Sequence, residues 1–134
     1  MRRVIGAMLA AVVAMGFLAS AGAAEKKAGK PGLGMVRHVV LFKFKDGTSE
    51  QDVKKIEDGF RGLKDKIDLI ADFEWGTNNS PEGLAQDFTH CFFVTFKDTK
   101  ARDAYLPHPE HKKFVEILKP HLDKVLVVDY VAKD

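Results

Sequence analysis

The stretch Phe88–Phe96 (FTHCFFVTF) is dense in aromatic and β-branched residues, the types that pack well on a pleated strand. Side chains alternate between faces with a period of two. One face therefore carries Phe88, His90, Phe92, Val94 and Phe96, and the other Thr89, Cys91, Phe93 and Thr95. Neither face is polar throughout, so both expect a cover. Lys97-Asp98 ends the strand.

Upstream, Val36–Phe44 (VRHVVLFKF) has the same texture. His38, Val40, Phe42 and Phe44 share one parity; Arg37, Val39, Leu41 and Lys43 share the other. Asp46-Gly47 marks a turn. Thr48 or Ser49 then opens a helix, each with a partner three residues on (Gln51, Asp52) in the manner of a capping box. Val53, Ile56, Phe60, Leu63 and Ile67 form one apolar stripe at helical spacing, with Lys54, Lys55, Glu57, Asp58, Arg61 and Lys64 on the solvated side. Leu69–Trp75 (LIADFEW) reads as a weaker strand closed by Gly76, and 77–87 as a turn-rich loop.

Downstream, Thr99–Tyr105 begins a short helix that Pro107 and Pro109 interrupt, because proline lacks the amide donor and restricts the residue before it. Pro109 suits the first turn of a new helix. Glu110–His121 then carries His111, Phe114, Val115, Leu118 and Leu122 on one stripe, with Pro120 near the end. Val125–Val131 (VLVVDYV) is the last strand. The order is β-α-β-β-α-β: an α+β chain with a four-stranded sheet and helices on one face. The uncovered face bears Val39, Leu41, Phe93 and one parity of the last strand. An exposed apolar face of that kind marks an association surface, so a homodimer with facing sheets is expected.

The chain has 134 residues, enough for one domain, with 46% hydrophobic and 30% charged residues. This is globular composition, which excludes wholesale disorder and a multi-span membrane protein. Met1-Arg2-Arg3 starts basic, Val4–Leu18 is apolar, and small residues follow with Ala21-Gly22-Ala23 fitting a cleavage pattern. Residues 1–23 therefore read as a signal peptide for export to the periplasm or beyond. The apolar run is shorter than the ~20 residues of a stable span, so no membrane association is expected after cleavage. Residues 24–34, broken by Pro31 and glycines, read as a flexible linker. The domain is 35–134. The formal charge of +2 loses Arg2 and Arg3 with the leader, and the domain itself is slightly acidic. No concentrated basic surface is visible, so no nucleic-acid partner is expected. The single cysteine, Cys91, excludes an intrachain disulfide. It is expected to be a small buried thiol, the alternative being an intermolecular disulfide.

Three histidines fall on inward faces: His38 and His90 on the strands, His111 on the last helix. Their convergence between sheet and helices predicts a pocket, with Val40, Phe42, Phe60, Phe92 and Phe114 as apolar lining. Imidazole exchanges protons near pH ~6.5. Tyr105, six residues before His111, is placed either to donate to a carbonyl or oxyanion or to cap the pocket mouth with its ring. No zinc-ligand spacing, phosphate loop, nucleophile elbow or dinucleotide fingerprint is present. Neither a metal nor a cofactor is expected.

The segments VRHVVLFKFKDGTSEQ, NNSPEGLAQDFTHCFFVTFKD, AYLPHPEHKKFV and VLVVDY together resemble the stress-responsive dimeric α/β-barrel (Dabb) family, from Met35 to the C-terminus. The resemblance implies a ferredoxin-like fold with an antiparallel sheet, and a dimer whose two sheets close into a barrel. One plant branch of the family is a cofactor-free polyketide cyclase. Its acid/base pair, a tyrosine and a histidine six residues later, matches Tyr105 and His111, and its strand histidines match His38 and His90. Three functions follow as expectations: binding a small apolar or aromatic molecule in a histidine-lined pocket; an aldol-type cyclase or lyase with His111 as base and Tyr105 as acid; or a stress-protective dimer without catalysis.

Overall fold

The computed structural model describes residues 29–134; the expected leader, 1–23, and the first part of the linker, 24–28, lie outside the described residues. The elements follow the order β1 (Val36–Phe44), α1 (Glu50–Lys66), β2 (Ile70–Thr77), β3 (His90–Phe96), α2 (Thr99–Tyr105), α3 (Pro109–Leu118), a 3-10 turn (Lys119–His121) and β4 (Leu122–Val131). They build one sheet in the order β2-β3-β1-β4. Every neighbouring pair is antiparallel. This is the expected ferredoxin-like arrangement, with the second helical region split in two.

The split follows from chemistry at three positions. Asp98 caps α2 by accepting from the Ala101 amide at 2.8 Å. Pro109 occupies the first turn of α3, where a missing amide costs nothing. His108 caps α3 through Nδ1, which accepts from the Glu110 amide at 3.2 Å. At the other end, Pro120 tightens the last turn into a 3-10 helix, so α3 stops at Leu118 and not at His121. For α1 the cap is Ser49, whose Oγ accepts from the Asp52 amide at 3.1 Å.

Strand limits also move. β2 runs on through Gly76 and Thr77, because both pair with β3. β4 starts at Leu122, since Phe44 pairs with it past an irregularity at Lys43. The described end of the linker is tied down: the Gly34 amide donates to the Ala132 carbonyl at 3.0 Å, and residues 30–35 form turns.

The core lies between the sheet and α1–α3. Phe60, from the middle of α1, is its hub, with ring centroids 4.4 Å from Phe92 and 4.8 Å from Phe114. Val36, Val40, Ile56, Leu63, Val94 and Phe96 fill the rest and are all buried. The opposite face of the sheet carries Val39, Leu41, Cys91, Phe93, Leu126 and Val128, because they share a parity in the observed register. Cys91 is thus exposed, not buried as expected: it belongs to the parity of Phe93, which no helix covers. β4 departs further from expectation. Val125 and Val127 on its helix side are as exposed as Leu126 and Val128 on its outer side. β4 is an edge strand, and the helices pack over β1, β2 and β3 and stop short of it.

Candidate functional site

That shortfall makes a trough. Between α3 and β4 lies a cavity of about 330 Å³. It is within the range of small-molecule sites. Of the residues expected to line a pocket, His38, Val40, Phe42, Phe60, His111 and Phe114 are brought together on its walls. Val125 and Val127 of β4 form its outer side, and Asp129 joins His38 at its polar end.

His90 and Phe92 are not on these walls. His90 pairs across the sheet with Phe42, four residues along β1 from His38, or about 13 Å at about 3.3 Å per residue. Both of its ring nitrogens are engaged, Nε2 with Glu57 Oε1 at 2.9 Å and Nδ1 with Thr89 Oγ1 at 2.8 Å. Its ring lies parallel to Trp75. It joins α1 to the far end of the sheet, and the expected three-histidine convergence is a pair. Phe92 is fully buried beneath Phe60 and Phe42.

Tyr105 is expected either to donate to a carbonyl or oxyanion or to cap the mouth with its ring, and the structure excludes the cap. It ends α2 and is wholly buried, so it does not cap the mouth; half-exposed Leu106 stands there instead. Its ring packs 4.3 Å from His111 and 6.0 Å from His38, centroid to centroid. Its hydroxyl is the one buried side-chain polar atom without a hydrogen-bond partner among the described residues. Burial raises its pKa well above the usual 10, so it stays a neutral phenol. Burial also lowers the pKa of His111 below 6.5, although the bond from Nδ1 to the Leu106 carbonyl, 2.9 Å, opposes the shift. The imidazole is therefore neutral at physiological pH. A carbonyl only accepts, so Nδ1 carries the hydrogen and Nε2 the lone pair.

At the other wall, His38 Nδ1 donates to Asp129 Oδ1 at 2.6 Å, and Arg102 Nη1 donates to Asp129 Oδ2 at 2.6 Å. Neither Asp129 nor Arg102 was legible as a site residue. The only available signal for Asp129 was a carboxylate within an otherwise apolar strand, VLVVDYV. Among the described residues no group of three His, Cys, Asp or Glu side chains could hold a metal, and no helix is long and apolar enough to cross a membrane. A second, larger cleft of about 550 Å³ opens beside the β2–β3 loop on the outer side of the sheet, against Leu41, Cys91 and Phe93. Its walls also carry Glu74, Glu82 and His90, and both ring nitrogens of that histidine are already engaged.

The fold and site define a ferredoxin-like α+β domain with a mainly apolar trough lined by two histidines and a carboxylate, with a buried tyrosine packed behind the histidines. The pattern described as Stress responsive A/B Barrel Domain matches residues 36–132, and the chain belongs to this family. It is 41% identical over 97 residues to the stress-response A/B barrel domain-containing protein HS1 of Arabidopsis thaliana, covering 72% of this chain and 89% of that one. It is 26% identical over 98 residues to olivetolic acid cyclase of Cannabis sativa, covering 73% and 97%. Among solved structures, it is similar to a dimeric ferredoxin-like protein of unknown function from Bacteroides fragilis. That likeness has a TM-score of 0.61 and 28% identity, and covers 74% of this chain and 97% of the other.

Proposed function

We propose that this chain is an exported homodimer that binds a small apolar or aromatic molecule in the trough between α3 and β4. One observation carries the reading: an apolar cavity of ligand size has its polar groups gathered at one end, where His38, Asp129 and His111 stand together. Apolar walls supply affinity and a few placed polar groups supply orientation. Dimeric relatives of the same fold support the second copy. So does the outer sheet face, where Val39, Leu41, Phe93 and Leu126 make a continuous apolar surface. The basic start, apolar run and small residues of 1–23 support export, with 24–34 linking leader to domain. N-terminal sequencing of the exported protein tests that part; an intact Met1 contradicts it.

A ligand that binds only the folded state raises the melting temperature by mass action. A thermal-shift screen of aromatic and fatty molecules is expected to find such ligands, and His38→Ala with His111→Ala is expected to abolish their effect. No shift across the library contradicts ligand binding and leaves a purely protective dimer.

The orphaned Tyr105 hydroxyl favours a second reading, cofactor-free acid/base catalysis of an aldol-type closure or cleavage. A neutral His111 with a free Nε2 can take an activated α-proton, and a neutral phenol can hold the developing enolate oxygen. Olivetolic acid cyclase, a similar protein, lends this reading a precedent in name. His111→Ala is expected to abolish turnover of a β-keto thioester while the fold survives; undiminished turnover removes His111 as the base.

A further inference from the structure

Two imidazoles face one trough, and the partners of each fix which nitrogen remains for a ligand. His111 spends its Nδ1 hydrogen on the Leu106 carbonyl. His38 spends its own on Asp129. Neither Nε2 has a partner among the described residues, and in the neutral Nδ1–H tautomer each ring offers the trough an acceptor. The carboxylate that holds His38 also accepts from Arg102. Its guanidinium reaches from α2 to β4, with Nη1 on Asp129 Oδ2 and Nε on Asp103 Oδ1 at 2.7 Å. The Arg102 and Asp129 side chains are both only 22% exposed, so this pair is sheltered from water. Two bonds at fixed angles hold a guanidinium far better than an ammonium would be held.

We propose that Arg102 is the positioning residue of the trough: it holds Asp129 so that His38 keeps Nδ1–H on the carboxylate and offers Nε2, beside that of His111, to a neutral ligand bearing a hydroxyl donor. This rests on the ligand-binding reading above and narrows it to alcohols and phenols on an apolar body. The surroundings of His38 agree. Asp129 faces it from β4, Arg102 and Tyr105 from α2, and His111 from α3. Asp129 divides its two oxygens between the His38 ring and the Arg102 guanidinium. A carboxylate ligand would bring only acceptors to a site already made of acceptors, with the Asp129 charge in its wall.

Three probes of one shape test this: 4-butylphenol, 4-butylanisole and 4-butylbenzoate, titrated calorimetrically into the purified chain. The phenol is expected to bind about tenfold more tightly than the anisole, the worth of one well-made hydrogen bond, with the benzoate weakest. Arg102→Leu is expected to bring the phenol/anisole ratio to about one while leaving the anisole's own affinity in place, which a merely structural loss would not do. Arg102→Lys keeps the charge without the fork and is expected to restore about a threefold ratio, so the proposal stays testable if the leucine variant fails to fold. In the ligand-free protein, ring ¹⁵N shifts are expected to show Nδ1–H at His38, lost as a single tautomer in Arg102→Leu. Equal binding of all three probes overturns the proposal and leaves the trough as a ligand site. An unchanged ratio or unchanged ring shifts in Arg102→Leu overturns the role of Arg102. Binding of none of the three overturns the ligand-binding reading itself, and this proposal with it.

Discussion

The rings of Tyr105 and His111 lie 4.3 Å apart, centroid to centroid, yet the Tyr105 hydroxyl has no hydrogen-bond partner and is sealed from solvent. A buried hydroxyl without a partner carries an uncompensated desolvation cost. Tyr105→Phe removes only that oxygen. It is expected to raise folding stability by ~1 kcal/mol, read as a higher urea midpoint at unchanged slope. The gain should be greatest in alkali: the unfolded chain loses its phenolic proton above 10 and the folded chain holds it, so stability from this group falls as pH rises past 10. A loss of stability in the variant at neutral pH would mean that the hydroxyl is paired.

His111 sets an opposite dependence in acid. Its folded pKa is below 6.5, chiefly through burial, so the unfolded chain takes up a proton that the folded chain refuses. The stability it contributes is fully present above pH 6.5 and is lost as pH falls through 6.5 toward the folded value. Urea midpoints measured at about pH 7.5 and about pH 5.5 are expected to differ less in His111→Gln than in the parent. Equal differences would contradict the burial effect.

Two glycines in α1 separate helix propensity from packing. A Cβ at Gly62 meets nothing within 4 Å, so Gly62→Ala is expected to stabilise by ~0.5–1 kcal/mol. A Cβ at Gly59 would stand 3.3 Å from Phe114 Cδ2, and that ring is stacked on Phe60 and forms a trough wall. Gly59→Ala is therefore expected to gain less than Gly62→Ala and to weaken ligand binding. The order of the two melting temperatures checks the contact; a reversed order would refute it.

The outer sheet face predicts its own failure mode. Val39 sits in its middle, between Phe93 and Val128. A charge there would have to be buried against the second copy. Val39→Lys is expected to leave the circular dichroism unchanged and to lower the sedimentation coefficient from that of a dimer to that of a monomer. A dimer that persists in the variant would place the interface elsewhere.

Much of this was legible locally. The β1 limits, the stripe Ile56, Phe60 and Leu63, the break at Pro107 and Pro109, and the shared parity of His38 and His90 all follow from steps of two, three or four residues. Such steps are set by neighbouring backbone geometry, which the sequence displays directly. The resemblance to the family implied the ferredoxin-like fold and its antiparallel sheet, as observed.

The trough was legible only in part. Parity put His38 and His90 on one face, but it could not say that the register sets them four residues apart, nor that Glu57 of α1 claims His90. Nothing near Asp129 announces that it bonds a histidine 91 residues away and an arginine 27 residues away. By itself the sequence determined the elements, their apolar faces and which residues share each face, because those depend on bonds along the chain. Only the tertiary structure decided that the helices stop short of β4, and so that His38, His111 and Asp129 share a cavity from which His90 is excluded. Such outcomes depend on register and on how far packed side chains reach, which no local spacing records.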